Sequence, residues 1–179
     1  MKINYYALKA IYLHEMDRFR RTLTQSLLSP VLTTSLYFIV FGSVIGGYVE
    51  KIDGISYGSY IVPGLLMLTL LTQSISNTSF GIFFPKFNGT IYEILAAPIS
   101  TLEVVLAFVG AGATKTLIVG LVIFITSLFF VEVQVEYPLL MIFLLVLVAF
   151  TFALFGFLIG LMSSNFEQMS IIPTLFITP

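Results

Sequence analysis

The sequence predicts an all-α, polytopic transmembrane helix bundle, with an interfacial amphipathic helix at its N-terminus. Three observations carry that expectation. Of 179 residues, 58% are hydrophobic and only 9% charged, against about 25% charged in an ordinary soluble domain. The charges bracket long silent stretches: 28 uncharged residues between Arg21 and Glu50, 32 between Asp53 and Lys86, and 30 between Glu136 and Glu167. Each is longer than the roughly 20 apolar residues that cross a bilayer.

The elements follow in chain order. Residues 1–25 read as an amphipathic helix lying in the membrane interface, because Tyr5, Leu8, Tyr12, Met16, Phe19 and Leu23 share a helical face while Lys9, Asp17, Arg18, Arg20 and Arg21 lie largely elsewhere. Residues 26–179 read as the transmembrane domain. Its first span is expected over 26–49 and its second over 59–84, joined by a short turn through Glu50, Lys51, Asp53 and Gly54 and ended by Pro85. A polar connection follows at 85–100. It holds a short helix from Ile91 to Ala97, stopped by Pro98, with Thr90 and Glu93 spaced as a capping box and Ser100 and Glu103 repeating that spacing. The third span is expected over 101–131 and the fourth over 139–162. The fifth, 168–179, has 12 residues, about 18 Å at 1.5 Å each, and the expectation is a C-terminally incomplete copy of a longer protein.

Orientation follows from the positive residues. With Lys115 set aside, Lys2, Lys9, Arg18, Arg20, Arg21 and Lys86 fall on one side and only Lys51 on the other. This bias places the N-terminus in the cytoplasm. Tyr48, Tyr57, Tyr60 and Tyr137 fall where the outer interface then lies.

Composition also excludes chemistry. Without Cys there is no disulfide or thiolate site, and the single His14 leaves little for metal binding or acid–base work. No catalytic residue and no metal site is assigned. A net charge of −1 gives no basic field for nucleic acid. Gly110, Gly112, Lys115 and Thr116 imitate a phosphate loop, but Thr114 stands where the motif needs Gly and no strand precedes them. Any ATP must be handled by another polypeptide or domain.

Four features remain as candidates, each with two readings. Gly42 and Gly46, Gly112, Thr116 and Gly120, and Gly156 and Gly160 recur at four-residue spacing, which packs helices closely within the subunit or between subunits. Lys115 is the lone charge in the third span. It snorkels to the inner interface or meets an anionic substrate headgroup. Thr69, Gln73, Ser76 and Phe80, flanked by Thr72, Ser74, Asn77 and Thr78, form a polar stripe that bonds neighbouring helices or, through Gln73 and Asn77 with Lys115, lines a transport path. The helix in 85–100 exposes Ile91, Ile94 and Leu95 along one side. It either docks a partner or rests on lipid.

The chain resembles the type-2 permeases of ATP-binding-cassette (ABC) exporters, the class of drug, polysaccharide and nodulation-factor exporters. The resemblance covers essentially the whole length. It rests on Leu36-Tyr37-Phe38 and Phe41-Gly42, on Tyr60-Ile61-Val62-Pro63-Gly64-Leu65, and on Lys86-Phe87, Gly89-Thr90-Ile91, Glu93-Ile94-Leu95 and Ala97-Pro98-Ile99-Ser100, with Ile172-Pro173-Thr174 and Thr178-Pro179 near the end. It implies six spans, a homodimer of permeases in the bacterial inner membrane, and cytoplasmic ABC ATPase subunits that hold ATP and Mg while this chain binds no cofactor. It also implies a coupling helix at about 88–98, carried by Phe87, Gly89, Thr90, Ile91, Glu93, Ile94, Leu95 and Pro98. The expected activity is outward movement of an amphiphile. The rivals are an integral membrane enzyme acting on lipid, and a structural membrane protein.

Overall fold

A computed structural model describes residues 4–45, 51–52, 55–133 and 135–177. Seven α-helices occur among them: α1 (Tyr5–Arg21), α2 (Leu23–Tyr37), α3 (Tyr57–Asn88), α4 (Ile91–Ala96), α5 (Thr101–Ser127), α6 (Pro138–Met162) and α7 (Phe166–Ile177). Among the described residues, four helical stretches are long and apolar enough to cross a membrane: Leu23–Phe41, Tyr57–Asn88, Thr101–Ser127 and Pro138–Met162. The fold is therefore the all-α polytopic bundle that composition demands.

Boundaries differ from the expectation in physically readable ways. Thr22 breaks the first helix, because its hydroxyl donates to the carbonyls of Arg18 and Phe19 at 3.2 and 3.3 Å and competes with the backbone ladder. The first apolar helix thus restarts at Leu23, and its continuation Phe38–Ile45 is wound as a wider π-helix. The expected turn between the first two spans includes a two-residue antiparallel pairing, Lys51–Ile52 with Ile55–Ser56. The second span does not stop at Pro85. Helix α3 runs one turn further to Asn88 and ends at Gly89, whose φ of 81° lies in the left-handed region where a Cβ is strained. The third span ends early, at Ser127, followed by turns through Leu128 to Phe130.

Of the two anticipated capping boxes only one forms. Ser100 accepts from the Glu103 amide and the Glu103 carboxylate accepts from the Ser100 amide. Thr90 instead adopts helical angles (φ −66°, ψ −14°) and makes no side-chain cap. A cap residue needs extended angles to turn its hydroxyl onto the following amides; the hydroxyl here reaches back to the Pro85 carbonyl at 3.4 Å.

Helix α3 is the hub of the bundle, packing along α6 and α5. The core centres on Ile82 of α3, Val104, Phe108, Val109 and Ala113 of α5, and Ala149, Ala153 and Phe157 of α6. Helix α6 comes close enough to α3 that a Cβ on Gly156 would lie 2.5 Å from the Ile75 carbonyl, and one on Gly160 2.5 Å from that of Ser79. Ser74 uses the same approach to donate to the Ala149 carbonyl at 2.6 Å.

The elements sort to two ends. At one end Asn4 meets the Pro98 carbonyl, and Lys86 donates to the carbonyls of Leu161 and Ser163 at 2.7 and 2.9 Å. At the other, Ser59 donates to the Glu132 carbonyl at 2.8 Å and Phe38 stacks on Phe130.

Candidate functional site

The site grows from the way α1 is held. Asn4 caps it by accepting from the Ala7 amide, while its own amide donates to the Glu103 carboxylate. The start of α1 is thereby fixed to the start of α5. From there α1 runs along α5: Tyr12 donates to Thr114 at 3.0 Å, and Phe19 packs with Val119 and Ile123, joined by Met16 and Leu23. The face expected to lie in the interface is, apart from exposed Tyr5, largely taken up by α5. Its buried positions Glu15, Phe19, Pro30, Thr34 and Phe38 continue the stripe through α2.

That stripe carries a charge. Glu15 is 2% exposed, and its Oε2 accepts from Lys115 at 2.8 Å and from Arg18 at 2.7 Å. Lys115, 3% exposed, therefore does not snorkel: its amine is held by a carboxylate from the neighbouring helix. Isolated burial of either charge would be prohibitive, and pairing with a hydrogen bond is what makes it tolerable. Gly81 of α3 leaves the room, since a Cβ there would sit 3.3 Å from Glu15 Oε2 and 3.7 Å from the Arg18 guanidinium. Arg18 lies over the Phe80 ring at 5.2 Å.

Beside the cluster opens a cleft of about 590 Å³ between α1, the start of α2, α3 and α7. Arg18 and Lys115 edge it, with Thr22 and Ser26 on one side, Thr72, Ser76 and Asn77 from α3, and Ser170 and Thr174 from α7. A second cleft of about 400 Å³ adjoins it through Thr72 and Ile177, lined by Thr33, Thr34, Thr69 and Gln73. The polar stripe of α3 thus divides. Thr69, Thr72, Gln73, Ser76 and Asn77 face the clefts, whereas Ser74 and Thr78 are buried toward α6 and α5. Asn77 donates to Gln73 at 3.4 Å, linking the two chambers. Sequence reasoning singled out Gln73, Asn77 and Lys115, which the structure brings to this groove; it missed Glu15, Arg18 and Gly81.

Other candidates fall elsewhere. Gly112 and Gly120 face Thr78 and Leu70 of α3, so these glycines, like Gly156 and Gly160, abut a helix of the same chain. Thr116 is buried and donates to the Gly112 carbonyl at 2.9 Å. Gly42 sits in the π-helical segment, and Gly46 lies outside the described residues. In the connection, Ile91 and Ile94 do not face outward as expected. A six-residue helix laid against the bundle turns its i, i+3 pair inward, and both are half-buried against the core of α3, α5 and α6. The outward apolar residues are Tyr92, 72% exposed, and Leu95, 66% exposed, with Glu93 between them and Phe87 and Pro98 at the flanks. Phe87 also pairs edge-on with Phe166.

Four membrane-length helices among the described residues define a polytopic membrane protein, and the groove beside the Glu15 cluster is polar on its α3 wall. The profile of the family described as "ABC-2 type transporter" matches residues 6–179, and the chain belongs to that family. It is 39% identical to the inner membrane transport permease YadH of Escherichia coli (strain K12) over 179 residues, covering 100% of this chain and 70% of the relative. YadH of Shigella flexneri matches to the same extent. No solved structure matches. Family membership makes this chain a membrane permease of an ABC transporter.

Proposed function

We infer that this permease is the membrane-spanning subunit of an exporter in the bacterial inner membrane, moving an amphiphile such as a drug, a lipid or a lipid-linked glycan. ATP and Mg are held by a separate cytoplasmic ATPase, and the chain itself binds no cofactor and has no ATPase site. Two copies form the pathway. The observation that carries the reading is the groove: hydroxyls and amides of α3 line two adjoining clefts inside helices otherwise built for lipid. Polar side chains facing a cavity in such a setting mark a substrate route. The relatives' name, inner membrane transport permease, supports both place and role.

Coupling is assigned to the connection 85–100. Helix α4 is short, tied to α3 and α5 at its ends, and shows Tyr92 and Leu95 outward. An ATPase gripping these two residues moves both long helices, and ATP-driven closure shifts the permease between arrangements through contacts that differ between them. The test is co-expression of the full-length protein with the ATPase of the adjoining reading frame, followed by affinity purification and ATP hydrolysis in proteoliposomes. A stable complex whose hydrolysis requires both proteins is expected. Recovery of the permease with no ATPase would overturn the assignment.

A further inference from the structure

We propose that the cleft edged by Arg18 and Lys115 binds an anionic, phosphate-like headgroup, with Arg18 as its direct partner. The proposal rests on the transporter reading above and names the chemical class of what the groove takes. Four observations converge. Glu15 is shared by two cations, so the cluster carries a net positive charge in a chain whose total is −1. The residues lining the cleft include both cations and no carboxylate, since Glu15 sits behind them. Uncompensated charge among membrane helices is costly, and a bound anion removes that cost.

Arg18 is also available to do this. Its side chain is 26% exposed, whereas Lys115 and Glu15 are each 3% exposed. A guanidinium has five donors in a planar fork suited to oxyanions; among the described residues its partners are one carboxylate oxygen and the Phe80 ring. Ser26, Ser76 and Asn77 in the same cleft supply neutral donors, and Phe19, Met169 and Ile177 supply apolar wall. A volume of about 590 Å³ is in the range of small-ligand sites, roughly 300 to 1,000 Å³. Two cations and apolar surface in one cleft suit an anionic amphiphile.

The test needs neither ATPase nor turnover, so it can fail while the transporter reading stands, and the reverse. The full-length protein in phosphatidylcholine nanodiscs is irradiated with a small amount of photoactivatable phosphatidic acid, and labelled peptides are mapped. Labelling of peptides from α1 and α3 is expected, competed by unlabelled phosphatidic acid and not by diacylglycerol with the same chains. Competition by millimolar inorganic phosphate alone identifies a site for a free oxyanion; resistance to it identifies a headgroup held together with its chains. Arg18→Gln leaves the Glu15–Lys115 pair intact and should lower labelling about tenfold or more, as expected for losing a charged hydrogen bond. Arg18→Lys should retain most of it. Equal competition by diacylglycerol, or unchanged labelling in a folded Arg18→Gln protein, overturns the proposal. The competition arm uses the unaltered chain, so the proposal stays exposed to failure even if the variant does not insert.

Discussion

Glu15 shows how one side chain can decide the docking of a helix. Its carboxylate satisfies Lys115 across 100 residues of chain and Arg18 one turn away. Removing one member of a buried pair costs about 3–5 kcal/mol, whereas replacing both with apolar side chains is often neutral. Glu15→Leu should therefore lower the thermal midpoint of the detergent-solubilised protein markedly, because two cations are left facing each other. Lys115→Met should be milder, since Arg18 still holds the carboxylate. The double variant should sit nearer the parent than Glu15→Leu alone, and simple additivity in this cycle would show that the pair does not interact. Little of this was legible in the sequence. Lys115 stood out as a lone charge in an apolar run, but Glu15 lay in a charged helix where a carboxylate reads as solvated. Its place in the stripe with Phe19 was the available signal; the partner, 100 positions on, was not, because pairing at that separation is set by tertiary packing.

At the level of elements, apolar length alone located the long helices, and local backbone chemistry set where they stop. Pro85 did not end α3: the helix carries it in its last turn and stops one turn later at Gly89, in the left-handed conformation. The two Ser/Thr-x-x-Glu spacings were indistinguishable in sequence, yet only Ser100 has the extended angles a cap requires. Ser100→Ala should accordingly cost about 1 kcal/mol, while Thr90→Ala, whose hydroxyl caps nothing, should leave the midpoint almost unchanged. Equal losses in thermal unfolding would contradict the cap assignment. Helix α4 supports a functional prediction. With Ile91 and Ile94 turned to the core, Leu95 is the outward aliphatic anchor beside Tyr92. Fully burying a Leu contributes roughly 1.5–3 kcal/mol, so Leu95→Asp should weaken ATPase co-purification about tenfold or more and leave membrane insertion intact. An unchanged yield of ATPase would make α4 a helix resting on lipid.

The whole molecule has two ends, and their sorting was legible from charge before any helix was placed. Asn4, Lys86, α4, the start of α5 and Ser163 gather at one end, and Ser59, Phe38, Phe130 and Glu132 at the other. Such geometry says which loops share a side, but a bundle can be turned over in the membrane without changing a single internal contact. Only the asymmetry of Lys and Arg distinguishes the two insertions. Along the sequence, Lys2, Lys9, Arg18, Arg20, Arg21 and Lys86 lie in segments expected on the first side and Lys51 in the segment expected on the second, and short loops rich in Lys and Arg stay in the cytoplasm. Arg18 weakens the count slightly, because it serves the Glu15 cluster; the expectation from five against one is a cytoplasmic N-terminus. The chain has no Cys, so single cysteines report without background. Asn88→Cys and Asn165→Cys should resist an impermeant thiol reagent in intact cells and react once the membrane is opened. Asp53→Cys and Glu136→Cys should react in both conditions. Reaction at position 88 in sealed cells, with protection at 136, would mean that the bundle is inserted the other way up, and α4 could then not meet a cytoplasmic ATPase at all.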